Sequence, residues 1–206
     1  MLKKSLLCSL FFANILFASG SEVNVYSQRH YDSDKALFKK FEEKTGIKVN
    51  LITANAEELV SRLSIEGANS PSDILITADI GNLYEAKERD LLQGVSSKTL
   101  EKNIPAHLRD EGGKWFAITK RARLFVYNPK TINPAHLDDY FSLTKPEFKG
   151  KVITRSSTNA YNKSLLASII AHHGEEKSLE FVKGLVNNFA RDPKGADKDQ
   201  IRAVAS

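Results

Sequence analysis

Three short strand-like segments, each followed by a helix-like segment, constrain the fold of this chain more than any other feature of its sequence. The strand-like segments are 23–26, 47–51 and 74–76, and the helix-like segments are 32–44, 56–66 and 83–89. Repetition of this kind predicts an α/β fold with a largely parallel sheet and helices on both faces. The continuous apolar run Ile74–Ile76 predicts a strand buried on both faces.

The second half of the chain predicts further elements of both types. Alternating residues predict either a strand pair or one long strand, and three later segments have helical patterns. The predicted strands are 115–119, 121–127 and 151–154, and the predicted helices are 158–173, 175–187 and 199 to the end of the chain.

The first twenty residues have the pattern of a cleaved secretory signal. Lys3 and Lys4 precede an almost wholly apolar run at 6–17, and small residues follow at 18–20. The run is shorter than the ~20 residues of a membrane span, so we expect cleavage before Ser21 and a periplasmic product. An uncleaved anchor is the alternative. Because Cys8 is the only cysteine, the mature chain has no thiolate ligand, and any metal must be held by oxygen or nitrogen.

Charge and motif content argue against two classes of function. The formal net charge of +5 falls to +3 without Lys3 and Lys4, and basic and acidic residues are interleaved along the helices. This pattern predicts solvated helix faces and no nucleic-acid partner. The chain also lacks a nucleophile elbow, a Walker loop, a dinucleotide fingerprint and a zinc-hydrolase helix, so we predict that it is not an enzyme.

A histidine and a tyrosine, His30 and Tyr31, directly follow the first predicted strand. Ligands of open α/β sheets bind beyond the carboxyl ends of the strands, so a site is expected here. Imidazole nitrogen suits many transition metals, and tyrosine oxygen is a known ligand of iron. The alternative is structural: His30 would cap the following helix, and Tyr31 would pack on it.

Tyr161 lies in a second candidate segment, RSSTNAY at 155–161, just before a predicted helix. Ser, Thr and Asn side chains cap helices, and the free amides of a helix N-terminus attract anions. The segment therefore predicts a helix cap, an oxyanion cradle or both.

Five other polar residues have simpler interpretations. Arg121 and Arg123 are two apart on a predicted strand and share a face, where they would either clamp an anion or be solvated. We expect Asp79 to cap the helix after the third strand. His172 and His173 are expected at the surface, because adjacent rings on a helix point in different directions.

Six motifs, in order along the mature chain, resemble the periplasmic ferric-iron-binding proteins of ABC importers. They are VNVYSQRHY at 23–31, FKKFEEKTGIKV at 38–49, PSDIL at 71–75, KRARLFVYN at 120–128, RSSTNAY at 155–161 and DQIRAV at 199–204. The resemblance implies a type II periplasmic-binding-protein fold, transferrin-like, with two lobes of mixed, mostly parallel sheet. The first lobe would span 21–120 and the second 121–206.

The same resemblance implies the ligands and partners. His30, Tyr31 and Tyr161 match metal-ligand positions of the tyrosine-rich subgroup and would hold Fe(3+). Arg121, Thr158, Asn159 and Ala160 match positions that bind a synergistic anion, such as carbonate, in some members. The partner would be an inner-membrane ABC permease. The protein would act as a monomer and would not be an integral membrane protein.

Two departures from the family pattern shape the expectation for this chain. Ala78 stands where some members have a glutamate ligand. The family's adjacent tyrosine pair would fall about a dozen residues past Ser206. The residues up to Ser206 also have an apolar helical pattern. We therefore expect a chain whose fold is incomplete at the C-terminus, with weak iron binding, exposed apolar surface and poor solubility. The alternatives are an oxyanion-binding protein on the same scaffold and a non-functional fragment.

Overall fold

The computed structural model describes residues 21–206. The predicted signal segment at 1–20 lies outside the described residues. Contacts between backbone positions divide the chain into two compact units, one ending at Ile76 and the other covering Thr77–Ser206. The division into lobes at 120 and 121 stays a prediction. Between 21 and 206, the structure contains no helix that is both long and apolar enough to cross a membrane.

The first unit contains a three-stranded parallel sheet. Its strands are β1 (Glu22–Ser27), β2 (Lys48–Thr53) and β3 (Ile74–Ile76), in the order β2-β1-β3. Val25 of the central strand is in register with Leu51 on one side and with Ile74 on the other. The predicted parallel sheet is confirmed, and the carboxyl ends of all three strands lie at one edge.

The central strand is buried on both faces, but β3 is not. Val25 is 2% exposed and its neighbour Tyr26 is 0% exposed, and adjacent residues of a strand point to opposite faces. Ile74 in β3 is 46% exposed, so the prediction that Ile74–Ile76 is buried on both faces is wrong. Among the described residues, β3 pairs only with β1 and lies at an edge of the sheet, and the apolar run does not indicate which strand is central.

Two helices complete the first unit, and both were predicted from apolar spacing. Helix α1 (Asp32–Thr45) ends at Gly46, which has a φ of 71° that favours glycine. Helix α2 (Ala56–Glu66) is capped by Asn55, whose side chain accepts a hydrogen bond from the backbone N–H of Glu58 at 2.9 Å. Only α2 contributes fully buried residues, namely Ala56, Leu59, Val60 and Leu63.

A buried phenol joins β1 to α2. The hydroxyl of Tyr26 lies 2.9 Å from each carboxylate oxygen of Glu66 and donates to this carboxylate. Burial, followed by the hydrogen bond to Glu66, raises the pKa of Tyr26. The hydrogen bond from Arg62, at 2.6 Å, is the main cause that lowers the pKa of Glu66. The cluster fixes one end of α2 against the central strand.

The second unit is mainly helical within its described length. Its α-helices are α3 (Ile80–Glu88), α4 (Lys98–Asn103), α5 (Ala160–His173), α6 (Glu175–Asn187) and α7 (Asp197–Ala205). Helices α3, α5, α6 and α7 were predicted, whereas α4 and the short 3-10 turns between 106 and 148 were not. Short helices of one or two turns carry too little periodicity to be recognised.

The strands predicted for the second unit are wrong. Segment 115–127 forms one isolated bridge, Arg109 with Phe116, and segment 151–154 forms another, Val152 with Phe189. Ile118 and Leu124 are 72% and 79% exposed. Alternating residues favour extended backbone, but a strand exists only when a second strand pairs with it. The described chain offers no such partner to 118–127.

A loop carboxylate, Asp110, organises the turn that follows α4. It accepts hydrogen bonds from Lys87 Nζ at 2.6 Å and from the backbone N–H groups of Gly112 and Lys114 at 2.9 and 3.1 Å. These donors lower the pKa of Asp110, and Lys87 contributes most. The side chain is 4% exposed, so the ionised carboxylate relies on these donors and not on water.

Replacing Asp110 with asparagine is expected to make the free energy of unfolding depend less steeply on pH in acid. A carboxyl whose pKa is lowered by folding stabilises the folded state above its unfolded pKa of roughly 3.9, and this contribution is lost as the pH falls through the folded pKa. The native chain should therefore lose stability below about pH 4 more steeply than Asp110→Asn. Urea unfolding between pH 2 and 7 measures this. Asp90→Asn, at a carboxylate that is 89% exposed beside Lys114, is the control, and an equal effect in both variants would contradict the prediction.

Candidate metal-binding site

His30 and Tyr31 lie in the short loop between β1 and α1, at the carboxyl edge of the sheet, as the sequence predicted. Tyr31 occupies the N-cap position of α1 with φ −76° and ψ 148°, and its side chain does not cap the helix. Tyr31, and not His30, therefore holds the N-cap position of α1. The two rings stack with centroids 5.0 Å apart, and Tyr31 is 47% exposed. The segment thus presents an imidazole and a phenol side by side.

An arginine flanks this pair. The guanidinium of Arg29 lies 5.2 Å from the ring centroid of Tyr31 and donates to both carboxylate oxygens of Asp34, at 3.0 and 2.7 Å. Arg29 was not predicted as a site residue, and its partner Asp34 belongs to the first turn of α1. A helix-start carboxylate five residues after a loop arginine was the available signal.

In the second unit, Tyr161 lies in the first turn of α5. Asn159 caps this helix by accepting a hydrogen bond from the backbone N–H of Tyr161 at 3.0 Å, which confirms the predicted cap. The hydroxyls of Ser156 and Thr158 are 3.0 Å apart. The amide nitrogen of Asn162 donates to the backbone carbonyl of Arg155 at 2.7 Å. These bonds fix the loop that carries the predicted anion-binding residues Thr158, Asn159 and Ala160.

Three guanidinium groups surround the ring of Tyr161. The central carbons of Arg121, Arg123 and Arg155 lie 5.2, 5.3 and 5.5 Å from its centroid. Arg121 also donates a hydrogen bond to the phenol oxygen. The structure therefore brings Arg121, a predicted anion ligand, into contact with Tyr161, a predicted metal ligand, 40 residues later in the chain. Three guanidinium groups this close together favour the binding of an anion beside the Tyr161 phenol.

Two contacts near Tyr161 were not predicted from the sequence. Asp79 caps α3 through the backbone N–H of Gly81, as predicted, but it also accepts a hydrogen bond from the hydroxyl of Ser164 at 2.8 Å. Arg155 forms an ion pair with Asp197 of α7 at 2.9 Å. Both contacts join residues more than 40 positions apart, so no local pattern could have found them.

The remaining histidines stay outside the candidate site. His172 and His173 are exposed at the end of α5, as expected, and His173 packs edge-on against Phe141. His136 is 3.0 Å from the carboxylate of Glu147 at the surface. No group of three or more His, Cys, Asp or Glu side chains between 21 and 206 is arranged to hold a metal ion.

Residues 69–204 match the model of one protein family, the bacterial extracellular solute-binding proteins. The chain belongs to this family.

The names of several curated relatives of this chain refer to iron. Iron uptake protein A1 of Synechocystis is 50% identical over 185 residues, which are 90% of this chain and 51% of that protein. The Fe(3+)-binding periplasmic protein of Serratia marcescens is 30% identical over 166 residues, or 80% of this chain and 48% of that protein. The chain thus spans about half the length of the curated relatives that it matches.

Solved structures give the same picture of the fold. The ferric binding protein of Campylobacter jejuni aligns with a TM-score of 0.84 and 56% identity, over 88% of this chain and 58% of that one. The Trichodesmium FutA (IdiA) protein, in complex with iron and citrate, aligns with a TM-score of 0.84 and 48% identity, over 90% of this chain and 58% of that one. The predicted periplasmic-binding-protein fold is therefore confirmed.

Proposed function

We propose that this protein captures ferric iron in the periplasm and delivers it to an inner-membrane ABC transporter. The observation that carries the proposal is the arrangement at Tyr161, a phenol at a helix start with three arginines around its ring. The similarity to an iron uptake protein and to ferric binding proteins supports iron as the solute. Export, a monomeric state and the absence of enzymatic activity belong to the same proposal.

Tyr31 and Tyr161 supply oxygen ligands in this proposal, and His30 supplies nitrogen or supports Tyr31 from the next shell. Phenolate oxygen is a hard, anionic donor that suits a trivalent cation, and tyrosine is an established iron ligand. Because a phenol must lose its proton to bind the metal, iron capture releases protons and weakens as the pH falls. The protein binds and releases its cargo without any covalent step.

An anion would complete the iron site. Arg121, Thr158, Asn159 and Ala160 are its proposed ligands, through the guanidinium group, the hydroxyl and the helix-start amides. The Trichodesmium relative is complexed with both iron and citrate, which supports an accessory anion such as citrate or carbonate. The alternative of an oxyanion-binding protein without iron is not favoured, because the relatives named above are described as iron proteins.

A ferric titration of the purified chain, followed by visible absorbance, tests the proposal. We expect a weak phenolate-to-iron charge-transfer band that disappears in the Tyr31→Phe and Tyr161→Phe variants, because each phenylalanine lacks the donor oxygen. Iron should be supplied as a soluble ferric chelate, so that hydrolysis does not mimic binding.

Tyr84→Phe is the matched control, since Tyr84 is an exposed tyrosine on α3 that has no place in the proposed site. Its titration should match that of the unchanged chain. A folded chain that shows no band, or a band that survives in both site variants, would overturn iron capture through these two tyrosines.

A further inference from the structure

Arg29 is held rigidly beside Tyr31 by contacts on both its side chain and its backbone. Its guanidinium donates two hydrogen bonds to Asp34, and the side chains of Arg29 and Asp34 are only 22% and 14% exposed. The backbone N–H of Arg29 donates to the hydroxyl of Ser27 at 3.0 Å, and this hydroxyl lies 3.0 Å from the Arg29 carbonyl. A bidentate, largely buried arginine of this kind has little freedom to move.

Asp34 restrains Tyr31 as well as Arg29. Its backbone N–H donates to the carbonyl of Tyr31 at 3.0 Å, while its carboxylate fixes the guanidinium that lies 5.2 Å from the ring of Tyr31. A cation facing an aromatic ring is attracted to it, so the arginine favours one placement of the ring over others. Asp34 therefore contacts the backbone of Tyr31 through its own backbone and acts on the ring through Arg29, and only the second effect depends on its carboxylate.

The same unit contains a second arrangement of this form at a tyrosine that cannot bind iron. Arg62 lies 4.9 Å from the ring of Tyr26 and is paired with Glu66 at 2.6 Å. Tyr26, however, is 0% exposed, and its hydroxyl already donates to Glu66. Tyr31 is 47% exposed in the loop after β1. The two arrangements share their chemistry and differ in whether metal can reach the phenol.

We propose that Arg29 and Asp34 form a positioning pair that orients Tyr31 for ferric iron before the ion arrives. This inference rests on the proposed function and names two residues that the family resemblance did not assign to the site. Ordering the ring in advance lowers the conformational cost of binding.

Ferric titration of paired variants tests the positioning role. Arg29→Gln and Asp34→Asn should each weaken ferric affinity by about tenfold, the lower end of the effect expected for residues that orient a metal ligand. Arg29→Lys keeps the charge but loses the two-pronged bond to Asp34, so its affinity should lie between those of Arg29→Gln and the unchanged chain. Arg62→Gln is the matched control and should change affinity by less than about twofold, although it lowers the unfolding temperature.

A second measurement needs no iron and separates failure of this inference from failure of the proposed function. In the iron-free chain labelled with 3-fluorotyrosine, the ¹⁹F resonance of Tyr31 is assigned by its loss in Tyr31→Phe. We expect it to shift and narrow in Arg29→Gln and Asp34→Asn, but not in Arg62→Gln. An unchanged Tyr31 resonance, or an affinity loss no greater than that of Arg62→Gln, would overturn the positioning role. A chain without any ferric band would overturn iron capture, while the ¹⁹F spectra would still decide whether Arg29 positions the ring.

Discussion

Replacing Gly113 with alanine is expected to destabilise the second unit by roughly 3 kcal/mol, because two separate penalties add. Gly113 has a φ of 69°, a conformation that costs an L-residue energy whatever surrounds it. A Cβ at this position would also lie 2.5 Å from the backbone oxygen of Val95. The approach is close because the N–H of Val95 donates to the carbonyl of Gly113 at 3.0 Å. Backbone must therefore move to admit the methyl group.

Gly150→Ala separates the two penalties. Gly150 has a nearly equal φ of 66°, but a Cβ there would meet nothing within 4 Å. This variant should lose only about 1 kcal/mol, from backbone strain alone. Urea unfolding of both variants measures the difference. Equal losses would show that the Val95 pairing yields at little cost, contrary to the prediction.

Truncating Phe181 to alanine should cost about 3–5 kcal/mol, the range found for large-to-small changes at buried phenylalanines. Phe181 is 4% exposed on α6, and its ring centroid is 5.1 Å from that of Phe141. Removing the ring deletes this contact and leaves a cavity between α6 and the 3-10 turn Tyr140–Thr144, where neighbouring groups cannot fully collapse.

Leu179→Ala, two residues earlier on α6, is the control for helix propensity and general truncation. Leu179 is 55% exposed, so its replacement should change the free energy of unfolding by less than about 0.5 kcal/mol. Thermal or urea unfolding monitored by far-ultraviolet circular dichroism compares the two. A loss at Phe181 no larger than that at Leu179 would mean that this aromatic contact does not form in solution.

Local periodicity was sufficient for most helices and for the sheet of the first unit. Helix α2 was predicted with the same limits as observed, because its apolar spacing and its closing glycine both lie within one short segment. The predicted β1, β2 and β3 likewise differ from the observed strands by no more than two residues at either end. Such signals depend only on neighbours in sequence.

Pairing and burial were predicted less well, since both depend on residues far away in the chain. Segment 121–127 alternates as a strand should, yet it pairs with no other strand within 21–206. Ile74 has the composition of a buried strand but lies at a sheet edge and is 46% exposed. The residue types of a segment indicate which backbone conformation it favours. Only the order of strands in the sheet shows whether a neighbouring strand is present to pair with it.

The candidate site divides in the same way. The sequence by itself determined the chemical types, an imidazole and a phenol after β1 and a second phenol at a capped helix start, because strand ends and caps are local features. Only the tertiary structure decided which charges face those phenols. Arg155 and Arg121 converge on Tyr161, and Arg29 is fixed over Tyr31 by Asp34. These contacts follow from three-dimensional packing, which brings together groups that the order of residues keeps apart.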